Sequence, residues 1–404
     1  MTKGEKGFIY SCLLFTLISE MLLSPFYPQL FSDYFQVDGV QATSLFIICC
    51  RLIVIVMTPM WGMVAKRWGL QKIVTAALMI MGGCKILLPM SHTFPQFLGV
   101  SLVLLFFQSS IYLLYPAMVA SSKNADEKVK ATTAYLFIFH GSVIVSGIVG
   151  SFIIGLSVPL NCYYIFALVD IMLAAASCFL FPKKSAAATW ERVKKTEGLL
   201  KDVKWSREFL IYLLTAFLFY IGHHAIRPYF TVFLDNGYTL TKQESSLLYV
   251  MPSLVAIILQ FFLPRRWLQS HVTVILIGVT GITGGLLFIQ MLAEDIWLFV
   301  AIRIVYGICF FVSLAAIDIL FFQMGIGRKS PLSYSLVTSV QNIALLFSPM
   351  AALMMVQHNG LEGPFLLSGF FLIGSALCMA LFSIRSYQSS SYQIKRGVGR
   401  HENL

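Results

Sequence analysis

Charge is scarce in this chain of 404 residues. Asp, Glu, Lys and Arg together make up 12% of it, where a soluble domain carries roughly a quarter. A surface that poor in charge does not keep a protein of this size in water. Alternation of apolar and polar residues is also missing, which argues against a membrane β-barrel. No phosphate-binding glycine loop, metal-ligand cluster or nucleophile motif occurs, so nothing points to an enzyme and no cofactor or metal is expected. No long polar segment offers an appended soluble domain. Cysteine is present eight times, at Cys12, Cys49, Cys50, Cys84, Cys162, Cys178, Cys309 and Cys378. None has metal-ligand spacing, and the neighbours Cys49 and Cys50 cannot readily bridge, so these read as packing thiols.

What fills the space is apolar. Hydrophobic residues are 58% of the chain and Phe alone occurs 34 times. A helix rises about 1.5 Å per residue and a bilayer core is about 30 Å thick, so an apolar run of about 20 residues spans it. Such runs are expected at 7–31, 41–65, 73–92, 96–120, 131–156 and 159–181, then at 209–234, 245–264, 271–292, 296–321, 332–356 and 364–384. Lys3 and Lys6 before the first run imitate a signal peptide, but Glu20, Pro25 and Pro28 inside it favour a membrane helix. The fold class is therefore an all-α membrane protein, twelve transmembrane helices in two six-helix bundles. The division is 1–181, a cytoplasmic linker 182–208, 209–386, and a polar cytoplasmic tail 387–404. The linker holds eight Lys or Arg against four Asp or Glu.

The net charge of +11 is distributed by side. Of 29 Lys and Arg, 24 fall on one side of the proposed membrane, one on the other and four inside helices. The opposite gaps hold Asp33, Asp38, Asp235, Glu244, Glu294, Asp295 and Glu362, with Lys242 the single cation. This positive-inside asymmetry accounts for the basic balance without a nucleic-acid partner. Both termini are placed in the cytoplasm of a multi-pass protein in a cell membrane, read as a bacterial inner membrane, and the chain is read as a monomer.

Six helices, a basic loop and six more resemble the major facilitator superfamily over nearly the whole chain. The turn Gly62-Met63-Val64-Ala65-Lys66-Arg67-Trp68-Gly69-Leu70-Gln71-Lys72 is similar to that family's Gly-x-x-x-Asp-Arg-x-Gly-Arg-Arg/Lys signature. Lys66 stands where the signature has Asp. Pro59-Met60-Trp61-Gly62 resembles the drug:proton antiporter branch, and Arg303-x-x-x-Gly307 an equivalent family helix. Neither Arg nor Gly occurs at the matching place near Leu105 and Ser109, and the branch's Gly-Pro pair is reduced to Gly141, Gly147, Gly150 and Gly155. The resemblance implies a secondary transporter, with Gly62, Lys66, Arg67, Gly69 and Lys72 as a gating motif.

A charge at the centre of a membrane helix costs about 2.5–3.5 kcal/mol, so such residues need partners or a wet cavity. The cations are Arg51, Lys85, Arg227 and Arg303; the acids are Glu20, Asp170 and Asp318. Thr16, Glu20 and Ser24 share one helical face, as do Ser44, Arg51 and Thr58, and Ser335, Thr338 and Asn342. His223, His224 and Arg227 fall within five residues. Candidate substrate-binding residues are Arg51, Gln108, Tyr112, His223, His224, Arg227, Arg303 and Asn342. Candidate proton carriers are Glu20, Asp170 and His223. Structural alternatives stand beside these: an ion pair of Glu20 with Arg51, a Lys85 that snorkels outward, an Asp170 paired with a cation, and a packed, neutral His140.

The surplus of intramembrane cations points to an anionic solute, since guanidinium forks match carboxylate and phosphate. The expected function is proton-coupled transport of a small anion or polycarboxylate, an organic acid or siderophore among them, by alternating access. A proton-driven multidrug exporter with a Met- and Phe-rich pocket is the second reading, and a membrane receptor without transport the third.

Overall fold

The computed structural model describes residues 3–121, 125–180, 206–263, 265–323 and 331–398. The expected linker 182–208 and the basic turn at 328–329 lie wholly or almost wholly outside these residues. Regular structure among the described residues is entirely helical. Twelve long helices follow one another: α1 (Lys3–Met21), α2 (Gly39–Trp68), α3 (Leu70–Leu87), α4 (Phe94–Ile111), α5 (Ala125–Ile153) and α6 (Tyr163–Leu180), then α7 (Arg207–Ala225), α8 (Lys242–Phe262), α9 (Val272–Met291), α10 (Ile296–Gln323), α11 (Pro331–Asn359) and α12 (Gly363–Val398). Among the described residues eleven stretches have the length and composition to cross a membrane; the last, Leu336–Leu381, takes in most of α11 and the first half of α12, which makes twelve membrane helices. The outer surface is apolar: Phe152, Ile165, Phe179, Phe262, Val274 and Trp297 are each more than half exposed. Such a belt suits lipid and not water.

Three of the expected segments are not continuous helices. The first stops at Met21 and resumes as a short helix at Tyr27–Asp33; the fourth stops at Ile111 and resumes at Leu114–Ser121; the seventh stops at Ala225 and resumes at Phe230–Gly237. A proline sits just beyond each stop: Pro25 and Pro28, Pro116, and Pro228. Proline has no N–H to give the fourth residue back, and its ring crowds that carbonyl. Elsewhere the departure is at a chain end: the segment expected to close at 384 continues as α12 to Val398, into the range read as tail.

Helix pairing repeats with a shift of six. In the first half α3 packs on α4 and α6, α1 on α5 and α6, and α2 on α4; in the second α9 packs on α10 and α12, α7 on α11 and α12, and α8 on α10. The halves meet through α5 against α8 and α2 against α11, again a reciprocal pair. Small residues permit close approach: between the halves a Cβ on Gly147 would lie 2.3 Å from Val250 Cγ1, and within the first half one on Gly150 would lie 2.0 Å from the Leu22 carbonyl oxygen.

At the end that carries Asp38, Asp235 and Asp295, the acidic end, hydrogen bonds tie the halves together. Gln29 Nε2 donates to Thr231 Oγ1 at 3.1 Å and to Asp235 Oδ2 at 3.0 Å. Thr231 donates to the Pro25 carbonyl at 2.5 Å. The hydroxyls of Tyr229 and Ser44 are bonded to each other, and Ser44 donates on to the Pro349 carbonyl at 2.9 Å. Asp235 is held in turn by Lys242 Nζ at 2.5 Å and Ser245 Oγ at 3.2 Å.

Candidate functional site

The helix breaks converge on a cavity between the halves. Its empty volume is about 1170 Å³, open solvent included. Glu20 lies in the last turn of α1, Gln108 in that of α4, and Arg227 in the gap after α7, so the prolines that stop these helices also set the polar groups at their ends. Arg51 comes from the middle of the uninterrupted α2. All four line this first chamber, with His224 and Tyr249. Phe46, Phe97, Leu104 and Leu105 supply an apolar wall.

Glu20 is held by neutral donors. Its carboxylate accepts from Gln108 Nε2 at 3.0 Å and from the Tyr112 hydroxyl. Gln108 also donates to the Tyr112 oxygen at 2.8 Å. The expected alternative, an ion pair of Glu20 with Arg51, does not form: the ion pairs among the described residues are Lys85–Asp170 and Lys242–Asp235. Arg51 makes no hydrogen bond or ion pair to a described residue. Arg227 donates from Nη2 to the Tyr249 hydroxyl at 3.2 Å and lies 5.7 Å from the centre of that ring.

A second chamber, with about 890 Å³ of empty space by the same measure, lies between α5 and the second half. It shares His224, Arg227 and Tyr249 with the first and adds His140, His223 and Arg303; no Asp or Glu lines it. His223 Nδ1 is 3.1 Å from the Tyr306 hydroxyl, and its ring stacks on Phe310 with centres 3.6 Å apart. His140 Nδ1 is 3.3 Å from Ser253 Oγ. The packed, neutral histidine expected at 140 thus borders a void.

Arg303 is placed by a chain of local causes. Pro252 stands inside α8, so the Leu248 carbonyl loses the N–H it would otherwise receive. Arg303 Nε donates to that carbonyl at 3.2 Å. One turn along α10, Gly307 lets the helices touch: a Cβ there would come within 3.1 Å of Pro252 Cα. The Arg303-x-x-x-Gly307 spacing therefore reads as one contact, glycine for approach and arginine for the freed carbonyl. Arg303 is 5% exposed, and its guanidinium stacks over Phe230 and Tyr306, 4.0 and 4.9 Å from their centres.

Two expected members are elsewhere. Lys85 does not snorkel; it is fully buried and its Nζ lies 2.7 Å from Asp170 Oδ2. Asp170 is thereby tied between α3 and α6 and borders neither chamber. Asn342 on α11 is half-buried and also borders neither. The turn between α2 and α3 hinges on Gly69, whose φ of +83° suits a residue without Cβ. Gly62 precedes it within α2, Arg67 and Lys72 are exposed, and the Lys66 side chain lies outside those described.

A sequence model of the Major Facilitator Superfamily matches residues 9–271 and, in a second match, residues 212–401. The chain belongs to the major facilitator superfamily. Membership in this superfamily makes it a secondary transporter that carries a small solute across a bilayer. No curated protein matches the sequence. Among solved structures, the crystal structure of the human organic anion transporter MFSD10 (TETRAN) is similar, with a TM-score of 0.70 and 13% identity over 94% of this chain and 100% of that one. At that identity the likeness speaks to the superfamily fold alone.

Sequence reasoning did not select Tyr249, Ser253, Tyr306 or Gln29. A usable signal existed for the first two: they are four residues apart on α8 and flank Pro252, in a helix that is otherwise apolar at its middle. Gln29 gave no signal, because its partners Thr231 and Asp235 are more than 200 residues away.

Proposed function

We propose that this superfamily member carries an organic anion, coupled to protons, with the basic end in the cytoplasm. The observation that carries the reading is that Arg51 and Arg227 both line the first chamber and neither has a carboxylate partner among the described residues. A guanidinium in so apolar a surround is costly unless an anion or water meets it. Glu20 faces the same chamber and is held by neutral donors, so it can gain a proton without breaking an ion pair. It is the proposed coupling residue. Asp170, locked to Lys85, is left out of that role. The likeness to an organic anion transporter adds nothing to this argument beyond the fold.

The test is uptake of labelled organic anions by proteoliposomes, with an entrapped pH dye reporting protons. Arg227→Ala should abolish anion flux while the purified protein keeps its thermal stability. Full flux in that variant would overturn the reading. A second reading, export of apolar cations, is favoured by Glu20 beside the Phe46, Phe97 and Leu104 wall. It predicts efflux of cationic dyes that Glu20→Gln abolishes and Arg227→Ala spares.

A further inference from the structure

The two chambers together hold more positive than negative charge. Arg51, Arg227 and Arg303 line them, and Glu20 is the single carboxylate in either lining. With neutral histidines, three guanidinium groups against one carboxylate leave two positive charges in a low-dielectric space. Arg227 stands in the wall common to both chambers, beside His224 and Tyr249. Arg51 is confined to the first chamber and Arg303 to the second, where no acid faces it.

From this we infer that the substrate is an organic dianion that spans both chambers, one anionic group between Arg51 and Arg227 and the other between Arg227 and Arg303, over an apolar body. The inference rests on the anion reading above and narrows it. Charge count sets the number of anionic groups, because an unmatched buried charge is destabilising and a charge-assisted hydrogen bond recovers most where water is excluded. Arg303 keeps its Nε on the Leu248 carbonyl, and its two terminal nitrogens make no hydrogen bond to a described residue. They are the donors offered to the second anionic group. His223 and His140 also line the second chamber, and each neutral imidazole carries one ring N–H that can donate. The Phe46, Phe97, Leu104 and Leu105 wall suits an aromatic or aliphatic spacer better than a hydroxylated one.

The experiment compares matched probes on the purified full chain in detergent, by titration calorimetry at constant ionic strength. Terephthalate and benzoate form one pair, adipate and hexanoate the other. The dianion of each pair should bind with a stoichiometry of one and at least about tenfold more tightly than its monoanion, the gain of one charged hydrogen-bonding group. Arg303→Gln should remove that preference, bringing dianion affinity down to within about twofold of the monoanion's. Should that variant fail to fold, His223→Gln should still weaken the dianion severalfold more than the monoanion. Equal affinity for both members of a pair, or two monoanions bound per protein as tightly as one dianion, would overturn the inference while leaving the anion reading intact. Binding of neither class, with cationic dyes bound instead, would overturn both.

Discussion

Arg303 Nε reaches the Leu248 carbonyl at 3.2 Å, and it does so because Pro252 cannot. A buried hydrogen bond to a charged group is worth about 1.5–3 kcal/mol. Arg303→Gln should therefore lower stability by about that much. In a Pro252→Ala background the new N–H at 252 serves the same carbonyl, and the loss should shrink. A double-mutant cycle on thermal unfolding in detergent checks this, with a coupling of about 1 kcal/mol expected.

Lys85 and Asp170 form a buried ion pair whose remaining polar atoms find no further hydrogen bond. Asp170→Asn strands a buried ammonium and should destabilise the protein by about 3–5 kcal/mol. Lys85→Met combined with Asp170→Leu should recover most of that and transport at the wild-type rate. The same proteoliposome assay decides; loss of proton coupling in the stable double variant would return Asp170 to the mechanism.

Gln29 joins the halves at the acidic end through Thr231 and Asp235. Its removal should favour the conformer that opens there, by about 1–2 kcal/mol of lost hydrogen bonding. Cys50 lines the first chamber and is buried, so it reports the change. Gln29→Ala should raise its labelling by a membrane-impermeant thiol reagent about fivefold or more, read by peptide mass in right-side-out vesicles.

Gly150 and Gly141 lie on the same helix and should answer differently to alanine. At 150 a Cβ would meet the Leu22 carbonyl oxygen at 2.0 Å; at 141 nothing lies within 4 Å. Gly150→Ala should cost about 1–3 kcal/mol by forcing α1 from α5. Gly141→Ala should be neutral or stabilising by about 0.5–1 kcal/mol through lost backbone freedom. Melting temperatures of the two variants check the pair.

The twelve crossings were legible because length and apolarity alone set them, and the sided charges numbered them. The breaks at Met21, Ile111 and Ala225 were not read, although Pro25, Pro116 and Pro228 announced them; a hydropathy run passes smoothly through a proline that a helix cannot. Glu20, Arg51, Gln108 and Arg227 line the first chamber; for Glu20 and Arg51 the helical spacing to other polar residues marked the face. Whether that face meets a partner or a void depends on neighbours remote in sequence. Lys85 illustrates this: its partner Asp170 lies 85 residues on, so the same lysine read as a snorkelling side chain. Arg303 was found by its spacing to Gly307, but its contact with Leu248 needed Pro252 of another helix to be seen.

The wall made by Arg227 and Tyr249 has an inhibitory corollary. A rigid monoacid large enough to fill the compartment beside Arg51 would seize Arg227 from that side and leave Arg303 unanswered. For a carrier of the dianion proposed above, such a molecule would occupy the site with the second chamber's charge unmatched, and would act as a competitive inhibitor and not as cargo.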